Sequence, residues 1–292
     1  MPVVTCFGEV LLDVFPTHKK IGGAPLNVAL RLNSFGVETN IISRVSQDTN
    51  GIEILEFVKN NGLDVSGIQI DKTFKTGVVQ VTLNKVGSAT YSIDYPVAWD
   101  KINITKKAVE KVKSSDAFIF GSLVCRDPVS KNTLNHLLQF AGFKVFDVNI
   151  RPPHYSMGLL FELMKRSDFI KCNDEELQEI CEYLNFNSGS IEDQVRLISL
   201  KTKTKQICVT QGKDGATLLY NDQFYINKGY KVKVVDTVGA GDSFLATLIS
   251  KLLNKTHPEK ALNFACAIGS IVASKKGANP VIHADELNSF TK

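Results

Sequence analysis

The chain has 292 residues, 43% of them hydrophobic and 22% charged, with a formal net charge of +4. Its length is enough to bury one large α/β core, with or without a small appendage. The cations are scattered among nearly as many acids and no basic run carries interleaved aromatics, which excludes a nucleic-acid groove and a basic membrane patch. Cys6, Cys125, Cys172, Cys181, Cys208 and Cys266 lie far apart without a Cys-x-x-Cys pair, as buried thiols of a reducing compartment do. The amino terminus carries no basic region followed by a sustained apolar stretch, and the longest apolar helix candidate, Leu262 to Ala273, is too short to span a bilayer. A cytoplasmic protein with no membrane or nucleic-acid partner is expected.

Taken in chain order, Val3 to Gly8 reads as a strand leading through Glu9 to Asp13, and strand-like residues follow near Val14 to Ile21. Gly22-Gly23-Ala24-Pro25-Leu26-Asn27-Val28-Ala29 sets a glycine pair before a helix, with proline near the first turn and Asn27 among its first exposed positions. Apolar runs rich in β-branched residues then alternate with helical periods: Ile41 to Val45 with Gly51 to Val58, Ala117 to Phe120 with Val129 to Phe140, and Lys144 to Val148 with Leu159 to Met164. This alternation predicts a mainly parallel sheet covered on both faces. Gly77 to Asn84 and Ala89 to Tyr95 break the pattern, since they alternate in period two around Lys85-Val86-Gly87-Ser88. They predict a hairpin with one polar face which, with the strand near 14–21, forms a small β-lid. Its apolar Val79, Val81 and Leu83 would face a second copy, giving a homodimer. With no linker, repeat or low-complexity tract, the expectation is one domain over 1–292, with lid excursions near 13–22 and 75–98.

Past the lid, Asp147-Val148-Asn149-Ile150-Arg151-Pro152 ends a strand, and the planar fork of Arg151 serves a sugar oxygen, a carboxylate or a phosphate equally well. Asn173 can N-cap a helix from Asp174 to Leu184, with Glu176 completing a capping box. Asp236-Thr237-Val238-Gly239-Ala240-Gly241-Asp242-Ser243-Phe244 is a glycine-rich turn that opens an apolar helix with a carboxylate at its mouth. The helix runs from Asp242 to Leu253, and a second, Glu259 to Ala273, follows a break at Asn254 to Pro258. Gly239 and Gly241 allow a sharp turn and close approach of a ligand, and the free N–H groups of a helix start attract an anion. Asp242 would repel that anion, so it makes sense there as a base taking a proton from a nucleophile attacking beside the cradle. Ordinary capping of a loop uses the same residue types. The implied reaction is phosphoryl transfer to an alcohol, and the helix start should keep Asp242 ionised at neutral pH.

These two glycine signatures, in this order, resemble the PfkB/ribokinase family of carbohydrate kinases. The resemblance extends to Asn173-Asp174-Glu175-Glu176, similar to that family's Asn-x-x-Glu, and to Thr210-Gln211-Gly212-Lys213-Asp214-Gly215-Ala216, similar to its nucleotide strand and turn. It implies a ribokinase-like three-layer α/β sandwich with a mainly parallel central sheet and a β-lid. It also implies ATP and Mg2+ as cofactors, with K+ as a third, and a small sugar as substrate. Asp242 is then the catalytic base, with Gly239, Ala240 and Gly241 as the anion hole. Asp13, Gly23, Asn27, Asn149 and Arg151 would bind the sugar, and Asn173, Thr210, Gly212 and Gly215 the nucleotide. Glu176 would organise magnesium through water, and Asp236, Val238 and Gly277 would hold a monovalent cation. The family's adenine-side position falls at Cys266. Trp99 sits on the return from the lid, for the sugar ring or for packing. The Asp147 to Arg151 segment and Pro96-Val97-Ala98-Trp99-Asp100 look like fructokinase-like members, so fructose is the expected substrate. Alternatives are 2-keto-3-deoxygluconate, ribose or a nucleoside, and, outside catalysis, a silent sugar or nucleotide sensor on the same fold. No Walker A, no protein-kinase signature and no Gly-x-Gly-x-x-Gly after the first strand competes with this assignment.

Overall fold

The computed structural model describes residues 1–83, 89–186, 189–288 and 290. Its first strands are β1 (Val3–Phe7), β2 (Leu11–Val14), β3 (Lys19–Gly22), β4 (Glu38–Ser46), β5 (Ile68–Asp71), β6 (Gly77–Leu83) and β7 (Ala89–Ile93). Those that follow are β8 (Ala117–Gly121), β9 (Lys144–Asp147), β10 (Phe169–Asn173), β11 (Gln206–Thr210), β12 (Ala216–Tyr220) and β13 (Gln223–Asn227). The helices are α1 (Ala24–Ser34), α2 (Thr49–Asn60), α3 (Lys106–Lys113), α4 (Pro128–Leu137), α5 (Met157–Met164), α6 (Asp174–Tyr183), α7 (Ile191–Thr202), α8 (Ala240–Leu253), α9 (Pro258–Ala273) and α10 (Ala284–Asn288).

A nine-stranded sheet in the order β13-β12-β11-β10-β9-β8-β1-β4-β5 forms the middle layer. From β11 to β5 every pairing is parallel, and β12 and β13 close one edge antiparallel. The strands are apolar on both faces because both are covered. Cys6, Ile119, Val145, Phe169 and Cys208 pack with α1, α2, α8 and α9, whereas Phe7, Phe118, Phe120, Phe146, Ile170 and Ile207 pack with α3 to α7. Period-two alternation thus divides one sheet between two cores. Side-chain caps mark where the chain turns from strand to helix: Asp48, Thr105, Asp127, Ser156, Asn173 and Ser190 each accept an N–H of the helix they open. No described helix is long and apolar enough to cross a membrane.

A second sheet, β3-β2-β6-β7, stands apart from the first. The strand expected near 14–21 is in fact two: β2 stops at Val14, Phe15 N–H bonds to His18 O at 2.8 Å, and β3 returns antiparallel. Pro16 inside the turn has no N–H to give a ladder, which accounts for the break. β6 joins β2 in parallel and β7 antiparallel. The expected turn at 85–88 lies outside the described residues, as do the side chains of Val81 and Leu83. Val79 is 6% exposed and packs with Leu11, Phe15 and Ile93, so it belongs to the lid's own small core and not to a face for a second copy. Trp99 is fully buried where the lid returns to the main body, with the Arg126 guanidinium 4.0 Å over its ring and Gly77 against its edge. Packing at the hinge, not the sugar ring, is its place.

The parallel strands β1, β8, β9, β10 and β11 all end at one rim of the sheet, beside the lid. Gly8, Gly121, Asp147, Asn173 and Thr210 stand at or just past those ends, which is where open α/β sheets bind ligands.

Candidate active site

Two helix starts face each other at this rim. At Gly23, φ is +110° and a Cβ would come within 2.4 Å of Glu9 O, so only glycine lets α1 begin so close to the β1–β2 link. Asn27 is 5% exposed, not surface-exposed as its spacing suggested. Its Nδ2 donates to Asp242 Oδ2 at 2.8 Å and its Oδ1 accepts from Asn279 Nδ2 at 3.0 Å. Both ends of the amide are therefore engaged, and in this structure Asn27 orients the carboxylate of Asp242.

On the other side, Gly239 adopts the left-handed conformation (φ +77°), and a Cβ there would lie 2.5 Å from Ala278. α8 begins at Ala240, leaving the N–H groups of its first turn without intrahelical acceptors. The N–H of Ala240 turns back to Thr237 O at 3.2 Å, so of the three cradle residues it would have to share its donor with an anion. Asp236 pins the turn: Oδ1 accepts from Val238 N at 3.0 Å and Oδ2 from Gly277 N at 3.1 Å. The three residues expected at a monovalent cation are thus together, with a lid cation already beside them, since Lys20 Nζ lies 3.5 Å from Asp236 Oδ2.

Asp242 is ionised at neutral pH as expected, but its carboxyl titrates above the ordinary aspartate range. Burial, and then the nearby Asp147 carboxylate, push its carboxyl up to about 6, against the Asn27 hydrogen bond and the charges of Lys171 and Arg151. The helix start is outweighed by the desolvation around it, so Asp242 is mostly ionised at neutral pH yet a stronger base than a free aspartate. Asp13 is likewise raised by burial, and Lys20 and Arg151 act against that rise. Arg151 is exposed at the mouth and within electrostatic reach of Glu9, Asp13 and Asp242. Asn149 has a positive φ of 42°, a strained conformation for a residue with a side chain. Its loop is held by Ser122 Oγ donating to Val148 O (2.6 Å) and by Ile150 N donating to Glu176 Oε1 (2.8 Å).

Glu176 is buried, and its other oxygen accepts from Asn173 N at 2.9 Å while Asn173 Oδ1 accepts from Glu176 N at 2.7 Å. The capping box is formed, and both carboxylate oxygens already hold backbone. Among the described residues no group of three or more His, Cys, Asp or Glu side chains could hold a metal ion. With both oxygens on backbone N–H groups, Glu176 would meet a magnesium ion only through water. Asn173 and Thr210 are paired across β10 and β11, and Gly212 and Gly215 shape the turn that follows. Cys266 is buried in α9.

Several residues of the site are ones that motif spacing did not single out. Lys171, inside the apolar run of β10, pairs with Asp147 at 3.0 Å, both side chains buried. Glu9 is 3% exposed, its Oε2 has no hydrogen-bond partner, and burial pushes its carboxyl up to about 7. Arg126 forks onto Asp100 at 2.7 and 2.8 Å. Arg31, lowered to about 10 by burial, ties α1 to Ser243 and Pro280 O. A lone charge inside an otherwise apolar strand run for Lys171, and one in the short apolar link between β1 and β2 for Glu9, was the available signal, because buried charges need partners.

A family model described as pfkB family carbohydrate kinase matches residues 2–285. A fructokinase of Solanum tuberosum is 29% identical over 311 residues, covering 96% of this chain and 92% of its own. Among solved structures, a fructokinase with bound ATP from Xylella fastidiosa superposes with a TM-score of 0.86 at 22% identity, covering 99% of this chain and 97% of its own. A fructokinase double mutant from Vibrio cholerae, solved with fructose, ADP and potassium, gives a TM-score of 0.84 at 22% identity, with coverage of 100% and 99%. The architecture described above is the ribokinase-like α/β fold.

Proposed function

The chain belongs to the pfkB family of carbohydrate kinases, and we propose that it transfers the γ-phosphoryl group of ATP to a hydroxyl of fructose. The observation that carries this reading is the 2.8 Å hydrogen bond from Asn27 to Asp242. It joins two glycine-led helix starts more than two hundred residues apart and fixes one carboxylate beside free helix N–H groups.

In the proposed reaction Asp242 takes the proton of the sugar hydroxyl as its oxygen bonds to the γ-phosphorus, and the bond from that phosphorus to the bridging oxygen of ADP breaks. A sugar hydroxyl is far less acidic than a carboxyl, so the proton moves late, and most of the rate comes from position and fixed charge. The N–H groups around Gly239 and Gly241 receive the charge on the phosphoryl oxygens. Asp13 and Arg151 converge from lid and core on the sugar, while Asn27 holds the base in line. Magnesium on the phosphates would neutralise charge on the nucleotide. Thr210, Gly212 and Gly215 would flank the nucleotide, and a monovalent cation at the Asp236 clamp would adjoin the cradle.

Fructose is favoured by the names of the relatives and by the Asp147 to Arg151 segment. An exposed guanidinium at the mouth also suits a sugar acid, which makes 2-keto-3-deoxygluconate the alternative. An ATP-consumption assay with fructose, ribose, adenosine and 2-keto-3-deoxygluconate side by side decides between them, with the highest kcat/KM expected for fructose. If 2-keto-3-deoxygluconate prevails and Arg151→Ala removes its advantage, the substrate is the acid. Silence with every sugar would leave a sensor.

A further inference from the structure

Lys171 has no ordinary reason to be where it is. It lies in β10 between Ile170 and Cys172, both buried, and its side chain is 8% exposed. Removing an ammonium from water costs several kcal/mol, and a buried ion pair is often no more stable than apolar residues of the same size. The neighbouring strand supplies its partner: Lys171 and Asp147 are opposite each other across β10 and β9, with Nζ 3.0 Å from Asp147 Oδ1. Both project to the sheet face covered by α8, because they share the parity of Phe169 and Val145, which pack there. The ammonium ends against the glycine turn, where a Cβ placed on Gly241 would be 3.4 Å from Nζ.

We propose that Lys171 is an electrostatic positioning residue for phosphoryl transfer, a fixed positive charge held by Asp147 behind Gly241 that opposes the negative charge moving across the mouth of α8. The inference rests on the kinase reading of this site. Asp147, Glu176 and Asp242 set three carboxylates around Lys171, and an incoming triphosphate adds more negative charge. Burial works against the ammonium, but those three carboxylates outweigh it and keep it charged. Arg151 also acts on Asp242, and it is exposed and screened by water. Lys171 is a buried cation acting directly on the base, already oriented before the reaction starts.

A structural role and an electrostatic one separate in a double-variant cycle. Lys171→Met alone leaves Asp147 unpaired, and Lys171→Met with Asp147→Asn restores neutrality without restoring the cation. The expected result is a kcat lowered about 10² to 10³-fold in Lys171→Met, KM for the sugar within about twofold of wild type, and no recovery of kcat in the double variant even as its Tm returns. Lys171→Arg should retain more turnover than Lys171→Met. Affinity for ADP with aluminium fluoride, measured by calorimetry, should fall at least about tenfold in the double variant while affinity for ADP alone is kept. That binding measurement needs no turnover, so it tests Lys171 even if the sugar panel defeats the kinase reading. Turnover of Lys171→Met within about threefold of wild type, or recovery of kcat or fluoride-complex affinity in the neutral pair, would overturn the proposal. If Lys171→Met does not fold, the neutral pair and Lys171→Arg decide it on the same two readouts.

Discussion

Asp242 carries its proton affinity from its surroundings, and that has a measurable consequence. Burial and then Asp147 raise its carboxyl, the Asn27 amide, Lys171 and Arg151 lower it, and the balance lies at about 6. Protonation removes the base form, so activity should be lost as pH falls through about 6 and be fully present well above it. A kcat profile flat down to pH 4.5 would show that no group of this kind is needed. Asp242→Asn should lower kcat by about 10² to 10⁴-fold with ATP binding largely intact; near-normal turnover would transfer the role of base elsewhere. Asp236 poses a second question at this scale, since the carboxylate that clamps Val238 and Gly277 also faces Lys20. Potassium should raise activity above that in a large organic cation at equal ionic strength. Equal rates would assign Asp236 to Lys20 and to its loop clamp alone.

At the scale of elements, the lid is joined to the body through a small polar hub. Asp48 caps α2 by accepting from Gly51 N at 2.8 Å and also takes Thr76 N (2.9 Å) and Thr76 Oγ1 (2.6 Å), while that hydroxyl accepts from Ser46 N at 2.9 Å. β6 starts at the next residue, so the entry to the lid is tied to a helix start. Thr76→Val should cost about 1 kcal/mol because the half-buried Ser46 N–H loses its acceptor and Asp48 Oδ1 keeps only Gly51 N, and a chemical denaturation midpoint unchanged from wild type would refute that. If the lid closes over sugar, saturating fructose should slow amide exchange in β2, β6 and β7. Unchanged exchange would make the second sheet a fixed wall of the site.

For the whole molecule, the proposed sugar and nucleotide site lies where the lid, α1, α8 and the strand ends of one sheet converge, so occupancy should stabilise the entire fold. Ligand at about a hundred times its dissociation constant adds about 2.7 kcal/mol, a rise in Tm of roughly 4 to 5 °C for a chain of this size. Fructose should produce that rise and ribose a smaller one. No rise with fructose, at concentrations that saturate turnover of the best sugar, would point away from it.

Much of this was already legible in the linear sequence. Glycine is forced at Gly23 and Gly239 by positive φ and close backbone approach, so both turns announce themselves locally, as do the capping box at Asn173 and the βα alternation. Those signals are short-range, set by backbone sterics and by the period of each element. Position in space was not legible. Asn27 looked exposed because helical spacing cannot foresee that α8 covers that face, whereas the break in the run at 14–21 was signalled by Pro16, which has no N–H for a ladder. The proton affinity of Asp242 and the ion pair of Lys171 depend on desolvation and on charges from distant segments, and no local rule contains them. Local sterics and capping chemistry specify which glycines, caps and strands build the two glycine-led helix starts. That those starts meet, that Asn27 aims the base, and that a buried lysine stands behind it follow from packing between segments far apart in the chain.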